Sequence, residues 1–189
     1  MYWVAVEPNS PKPDEKMVML RTCAKKDIKK VGYSFAKKIQ MEGTGILNDG
    51  RGYNVDCRKQ CNYNDQFDCF EPLPAKFPWG VGSNDNGIYP STSVAVNKKG
   101  LFGKTIFVNE FKGLQLPNGQ VHNGCVKVDD ECPSCSDHIF DFFAGKKTWA
   151  NQIYQTLNKF CVKKDCPDGL IGITYDVKPC TAQKYNVSF

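Results

Sequence analysis

The chain has 189 residues, of which 41% are hydrophobic, and a net charge of +5 from 25 basic and 20 acidic side chains. This composition is ordinary for a globular protein with a real core, and no apolar run is long enough to span a bilayer. Arginine, the better base-reading side chain, occurs only at Arg21, Arg51 and Arg58, which argues against sequence-specific nucleic-acid binding. The lysines form scattered doublets, which indicates a solvated surface, with attraction to an acidic surface as the alternative.

The first part of the chain is predicted to be an extended arm over residues 1–32, because prolines recur at Pro8, Pro11 and Pro13. The first seven residues lack the basic and long apolar segments of a secretory signal peptide, so any leader is expected to lie outside this sequence. Residues 33–189 are predicted to form one domain, and residues 33–56 hold strand-like pieces broken by glycines.

Residues 57–90 are rich in Cys, Asn, Asp and Pro and predict a long loop held by disulfides. A structureless loop of that length inside a compact domain is usually functional. It carries Phe77, Trp79 and Tyr89, which can either pack in a core or stack on a ligand.

Short strands are predicted next. They fall at residues 93–96, 104–109, 126–128, 139–143 and 169–177. One helix is predicted near residues 148–158, where Thr148 is a good N-cap and apolar residues recur at helical spacing. Six or seven short strands with one helix predict a mainly β fold, and a small closed barrel in preference to a doubly wound sheet.

Ten cysteines are spread along the chain. They are Cys23, Cys57, Cys61, Cys69, Cys125, Cys132, Cys135, Cys161, Cys166 and Cys180. The even count predicts five disulfides, an oxidising compartment and hence secretion, which the sequon at Asn186 supports weakly. The connectivity stays open. The alternative is zinc, because Cys132-x-x-Cys135-x-x-His138 resembles half a metal site, but we favour disulfides and no bound metal.

Residues 118–145 carry the richest chemistry. A β-like run delivers Asp129 and Asp130, a Cys-Pro-Ser-Cys turn follows, and a second apolar run carries Asp141 within Phe-Asp-Phe-Phe. An acid among aromatics is costly unless it is paired, hydrogen-bonded or used, and desolvation is expected to raise its pKa as a general acid requires. The alternative is that Asp141 faces solvent, because successive strand residues point to opposite faces.

These residues resemble the double-psi β-barrel superfamily. The segment 128–135 and the closing strand to Cys180 resemble the expansins and barwin. The segment 116–145, with Trp79-Gly-Val-Gly and residues 89–97, is similar to the three-aspartate domain of lytic transglycosylase A, although the first of the three aspartates falls on Asn97 here. The resemblance implies a six-stranded double-psi β-barrel with long disulfide-tied loops and one short helix.

The resemblance also implies a function. We expect a secreted protein that cleaves a β-1,4-linked cell-wall polysaccharide, in the manner of a lytic transglycosylase or a family 45 endoglucanase. Asp141 would be the general acid and base, and Asp130 would tune its pKa or support its loop. The expected substrate-binding residues are Trp79, Tyr89, Phe77, His122 and His138. A monomer without cofactor is expected.

Two other hypotheses stay open. One is a non-catalytic, expansin-like or barwin-like protein that binds or loosens a wall and releases no product. The other is a defence protein or protease inhibitor on the same scaffold, with the loop 57–90 as its contact surface.

Overall fold

The computed structural model describes residues 1–55, 67–97, 99–135, 140–161, 175–176 and 179–187. Within these residues the chain is mainly β, with two α-helices and two mixed sheets. It divides into two compact units. The first unit is Val4–Val81, and the second unit is Met1–Trp3 together with Gly82–Phe189.

The described strands, in chain order, are β1 (Tyr2–Trp3), β2 (Ala5–Val6), β3 (Met17–Thr22), β4 (Asp27–Gly32), β5 (Thr44–Ile46), β6 (Gly52–Val55), β7 (Asp68–Pro72), β8 (Ser93–Val96), β9 (Thr105–Val108), β10 (Cys125–Glu131), β11 (Asp141–Gly145) and β12 (Tyr175–Asp176). The helices are α1 (Tyr33–Glu42) and α2 (Lys147–Cys161). None of the described helices is both long and apolar enough to cross a membrane.

The first unit is a six-stranded sheet in the order β2-β5-β6-β7-β3-β4, with α1 packed on it. Its core includes Leu20 and Val31, which are fully buried on the paired strands β3 and β4. Residues 1–32, predicted as an extended arm, therefore hold four strands. The prolines that suggested an arm lie between β2 and β3, where they interrupt no strand hydrogen bonds.

Helix α1 occupies a stretch for which strand-like pieces were predicted, so the prediction of a single helix is wrong. Phe35 and Ile39 point inward at helical spacing. The N-cap residue, Gly32, offers no side-chain hydrogen bond. Glu15 supplies it instead, since the Ser34 N–H donates to its carboxylate at 2.7 Å. Hydrogen bonds from Ser34 accordingly lower the pKa of Glu15. The start signal of this helix is therefore distant in sequence.

The second unit is a six-stranded sheet in the order β1-β11-β8-β10-β9-β12. The pairs β1/β11 and β8/β10 are parallel, and the remaining pairs are antiparallel. Val94, Val128 and Phe142 bury one face of this sheet in a core that includes Ile153 and Leu157 of α2. The predicted strands at residues 93–96 and 104–109 and the predicted helix near residues 148–158 are confirmed as β8, β9 and α2.

A closed barrel is not found among the described residues. The sheet of the second unit ends at β1 on one side and at β12 on the other, and closure requires the two end strands to pair. Most of the strand predicted at residues 169–177 lies outside the described residues, which include only β12 of it.

For two disulfides the structure describes both cysteines: Cys125–Cys180 and Cys132–Cys135. Cys23 and Cys69 are also disulfide-bonded. Cys57, Cys61 and Cys166, together with the side chain of Cys161, lie outside what the structure describes. Because Cys132 and Cys135 are bonded to each other, they offer no thiolates, and the zinc alternative built on them is wrong.

Candidate functional site

The candidate site lies on the sheet face of the second unit that is turned away from the core. At its centre is Ala95 of β8, which pairs with Asp130 of β10 on one side and with Asp141 of β11 on the other. Paired residues on adjacent strands point to the same face of a sheet. The two aspartates therefore flank a methyl group, with their Cα atoms two strand spacings, or roughly 10 Å, apart. We call Ala95, Asp130, Asp141 and Tyr2, described below, the acid face.

A β-bulge at Asp129 brings Asp130 onto this face. Val128 pairs with Val94 in the core, and the next pair is Asp130 with Ala95, so that Asp129 is the extra residue. In a regular strand Val128 and Asp130 would point to the same side, which here is the core. The bulge resets the alternation and turns the Asp130 carboxylate away from the core.

Asp130 is held firmly. Its Oδ1 atom accepts three hydrogen bonds, from the Ser83 N–H at 2.9 Å, from the Ser83 hydroxyl at 2.7 Å and from the Glu131 N–H at 2.9 Å. Three donors on one oxygen leave the carboxylate little rotational freedom. Asp130 is therefore pre-positioned by the segment that contains Ser83.

Asp129 has a different environment, because its side chain is only 1% exposed. Its Oδ2 atom accepts a hydrogen bond from the Ser93 hydroxyl at 2.7 Å, and its Oδ1 atom lies 2.7 Å from the Lys127 ammonium. The backbone at Gly82 packs very close to Asp129, since a Cβ added at Gly82 would lie 2.1 Å from the Asp129 carbonyl oxygen. Only glycine allows this approach, so Gly82 fixes how tightly its segment covers the bulge.

Asp141 is partly accessible, with 32% of its side chain exposed. Its Oδ1 atom lies 2.5 Å from the Met1 amino nitrogen, a contact of ion-pair length. The same oxygen is enclosed and makes no hydrogen bond of regular geometry. Asp141 thus lacks the three directed hydrogen bonds that hold Asp130.

Tyr2 completes the acid face and was not predicted. Strand β1 pairs with β11, so that Tyr2 lies beside Phe143 with ring centroids 4.9 Å apart. Its hydroxyl is enclosed without a hydrogen bond of regular geometry, although Asp130 is close enough to accept one. Burial, followed by the negative charges of Asp130 and Asp141, raises the pKa of Tyr2 well above its usual value. The phenol therefore stays protonated at neutral pH and can donate a hydrogen bond.

His122, predicted to bind substrate, lies in the core instead. Its side chain is 1% exposed, its Nδ1 atom accepts a hydrogen bond from the Gly124 N–H at 2.9 Å, and its Nε2 atom therefore donates to the Ser91 carbonyl at 2.8 Å. The ring stacks on Tyr185 at 5.0 Å. Burial lowers the pKa of His122 to about 4. We call His122, Ser91, Gly124 and Tyr185 the His122 cluster; it has no ring nitrogen left for a ligand.

The predicted aromatic residues are distributed over both units. Trp79 and Phe77 belong to the first unit, and Trp79 is only 7% exposed, which leaves little of its ring for stacking. Tyr89 belongs to the second unit and is half-buried, with the Lys184 ammonium 4.0 Å from its ring centroid. His138 lies outside the described residues.

Within the described ranges, no group of three or more His, Cys, Asp and Glu side chains is arranged to hold a metal ion. No protein-family model, curated protein or solved structure matches this chain. The function must therefore be inferred from the acid face itself.

Proposed function

We propose that this chain is a secreted protein that cleaves a β-1,4-linked cell-wall polysaccharide, with Asp141 as the proton donor and Asp130 as the second carboxylate. The observation that carries the proposal is the pairing of both aspartates with Ala95, one on each side of β8. This pairing puts two carboxylates on one face with only a methyl group between them. Glycoside cleavage uses two carboxylates placed on either side of the bond that breaks.

The spacing favours a water molecule between the two acids. Since both side chains leave the same face, their carboxyl groups are expected at a separation comparable to that of their Cα atoms, roughly 10 Å. Inverting glycosidases separate their carboxyls by about 6.5–9.5 Å, whereas retaining enzymes need about 5–5.5 Å. In this route Asp141 protonates the glycosidic oxygen as the bond to the anomeric carbon breaks. Asp130 accepts the proton of the attacking water.

A one-acid route is the variant that the transglycosylase resemblance implies. Here a hydroxyl of the sugar attacks the anomeric carbon, and Asp141 first donates a proton to the leaving oxygen and then accepts one from the attacking hydroxyl. Asp130 would only hold its loop in place. The two routes give different products, since water attack yields a reducing sugar and internal attack yields an anhydro-sugar.

Tyr2 would assist either route. Its protonated hydroxyl lies beside Asp130 and Asp141 and has no regular hydrogen bond to break before it donates to a substrate oxygen. Because burial has already removed water from this hydroxyl, a ligand oxygen that accepts from it need not displace a solvent hydrogen bond.

The proposal also includes the detailed fold of the second unit. The second unit contributes a six-stranded mixed sheet, and the resemblance over residues 33–180 suggests that it closes as a double-psi β-barrel. The disulfides support an oxidising compartment and thus secretion. An experimental structure that covers residues 162–178 tests closure directly, because an open edge at β12 would contradict it.

A non-catalytic, wall-binding protein is the second candidate. It is favoured by the hydrogen bonds that Asp130 already accepts from the Ser83 N–H and hydroxyl. In this case the acids would order the sheet end, and the protein would bind glycan without releasing product.

The decisive experiment incubates the full chain with peptidoglycan, cellulose and chitin and identifies soluble products by mass spectrometry. Asp141→Asn is compared with Asp14→Asn, a matched change at an exposed acid of the first unit. Loss of a proton donor is expected to lower turnover by about 10²–10⁴-fold, while Asp14→Asn keeps it.

The outcomes separate the candidates. Turnover that survives Asp141→Asn in a folded variant removes Asp141 from the mechanism. A folded wild-type protein that binds a glycan but releases no product supports the non-catalytic candidate. Anhydro-sugar products select the one-acid route, and reducing sugars select the two-acid route.

A further inference from the structure

The net positive charge of the chain is concentrated in one segment of the first unit. Residues 12–38 contain nine basic and three acidic side chains, a net charge of +6, whereas the whole chain carries +5. The remaining residues therefore sum to −1. The lysine doublets that look scattered in the sequence are brought together, because β3, β4 and α1 pack on one another.

Several of these lysines are available for a ligand. Asp27 is paired with Arg21 at 2.8 Å, and Glu15 is engaged at the start of α1. Among the residues that the structure describes, the exposed lysines without a carboxylate within ion-pair distance include Lys16, Lys30, Lys37 and Lys38. Their field favours the approach of an anion.

Two of them converge on one aromatic ring. The ammonium groups of Lys37 and Lys16 lie 5.1 Å and 5.8 Å from the ring centroid of Tyr33. Lys37 follows Tyr33 by four residues on α1 and thus shares its helix face. Lys16 is held nearby because its carbonyl accepts a hydrogen bond from the Tyr33 N–H at 2.9 Å. The half-buried ring packs edge-on against Phe67. We call Lys16, Tyr33 and Lys37 the Tyr33 cluster.

The Tyr33 cluster is suited to a negatively charged sugar. Two like charges beside one ring repel each other, and an anion placed between them relieves that repulsion. The chain itself already places a carboxylate, that of Glu15, one residue before Lys16 and at the start of α1. A partly exposed aromatic face next to cations accommodates a flat apolar ring surface that carries acidic groups. Lysine lacks the planar fork with which arginine clamps carboxylates and phosphates alike, so the two ammonium groups accept either kind of anion.

We propose that the Tyr33 cluster binds a polysaccharide that carries uronic acids, with a sugar ring against Tyr33 and carboxylates on Lys16 and Lys37. The choice of a glycan rests on the proposed function. The Tyr33 cluster belongs to the first unit, whereas the acid face belongs to the second. Its test measures binding and not cleavage, so the two proposals can fail separately.

The experiment measures the affinity of the full chain for polygalacturonate at low and at high salt. Neutral cello-oligosaccharide and single-stranded DNA serve as comparison ligands. Lys16→Gln/Lys37→Gln is expected to weaken polygalacturonate binding by about tenfold at low salt, as the loss of two exposed ion pairs would. The matched control, Lys76→Gln/Lys147→Gln, removes the same charge from lysines beside other rings and should stay within about twofold.

Each other outcome overturns the proposal in part or in whole. Equal losses in the two double variants would mean that net charge alone attracts the polymer. Equally tight binding of cello-oligosaccharide would mean that the lysines are irrelevant, and equally tight binding of DNA would remove the preference for uronate. A protein that shows this binding but cleaves no glycan would refute the proposed catalysis and leave the Tyr33 cluster standing.

Discussion

The His122 cluster and the acid face both bury polar groups in the second unit, but they treat them in opposite ways. His122 is 1% exposed and uses both ring nitrogens in hydrogen bonds to the backbone. Tyr2 is 8% exposed, yet its hydroxyl makes no hydrogen bond of regular geometry. Buried polar groups are normally satisfied, so an unsatisfied one calls for an explanation. Burial alone therefore does not mark a functional group; unused hydrogen-bonding capacity does so better.

His122 and Tyr2 are both neutral at pH 7, but the hydrogen-bonding groups that this leaves have different partners. Burial lowers the pKa of His122 to about 4, which leaves one donor and one acceptor that the backbone uses. Burial and the nearby carboxylates raise the pKa of Tyr2, which keeps its proton on a hydroxyl that a ligand can use. The difference predicts that changes at His122 cost stability and that changes at Tyr2 cost function.

The largest effect on stability is expected from His122→Ala. The change leaves the Ser91 carbonyl and the Gly124 N–H unpaired in the core and opens a cavity beside Tyr185, which together should destabilise the fold by about 3 kcal/mol or more. Chemical denaturation measures the loss. Val121→Ala is the control, because Val121 is 49% exposed and its change should cost less than about 0.5 kcal/mol. A His122→Ala protein as stable as this control would show that the cluster is not structural.

The second-largest expected effect is a fall in the free energy of unfolding as the pH drops. The unfolded chain protonates His122 below its usual pKa of 6.5, whereas the folded chain resists protonation down to about 4. The unfolded state therefore binds the extra proton, and stability should fall by about 1.4 kcal/mol per pH unit as the pH drops through this window. Glu15 and Asp49, whose pKa values are lowered, add their losses only below about 4.5.

Among the described groups with a lowered pKa, His122 is thus the one that contributes between pH 6.5 and pH 5, so unfolding free energies are measured over this range. The comparison is with His122→Gln, which does not titrate and should show a flatter profile whatever its absolute stability. Equal slopes in the two proteins would assign the acid sensitivity to another group.

Tyr2→Phe should lower turnover and leave stability nearly unchanged, which is the reverse of what is expected at His122. The hydroxyl has no regular hydrogen bond to lose, so stability should change by no more than about 0.5 kcal/mol, or even rise. Turnover on the best glycan should fall by about tenfold, the value of a single hydrogen bond of about 1.4 kcal/mol made in the transition state. Should Tyr2→Phe instead lose stability and keep its turnover, the hydroxyl would be a structural group like His122.

The smallest effect is expected from Ser83→Ala. It removes one of the three hydrogen bonds to Asp130 Oδ1, at an exposed residue whose N–H still donates to the same oxygen. Stability should stay within about 0.5 kcal/mol, and turnover should fall only a few-fold because Asp130 becomes less fixed. A loss as large as that of Asp141→Asn would mean that Ser83 itself touches the substrate.

The sequence predicted those elements whose signals are local. Strands β8 and β9 and helix α2 follow from short apolar runs and a helical period over adjacent residues. Helix α1 was missed because its cap is Glu15, a residue of another segment, while Gly32 at its own start resembles a strand terminator. The four strands before α1 were missed because a few prolines suggested an arm for the entire stretch.

The difference between local signals and contacts from distant segments also holds for the candidate site. Asp130 and Asp141 were expected within reach of each other because one short turn separates their strands, but β8 lies between those strands and keeps the two Cα atoms two strand spacings apart. Tyr2 could not be expected, since β1 pairs in parallel with β11 near the other end of the chain, and such pairing leaves no local pattern. His122 was predicted to bind substrate from its turn, but Tyr185, from a distant segment, covers its ring.

The pairing of both aspartates with Ala95 has a consequence for how this protein can diverge. The distance between the two carboxylates is set by backbone hydrogen bonds across β8, which do not depend on the identity of most surrounding side chains. Neighbouring surface positions are then free to drift and to explore new ligand preferences while the acid spacing is preserved. Position 95 is the exception, because any side chain larger than methyl would grow into the space between the acids. A lineage could lose the proposed activity by one substitution at this position, with both aspartates still in place.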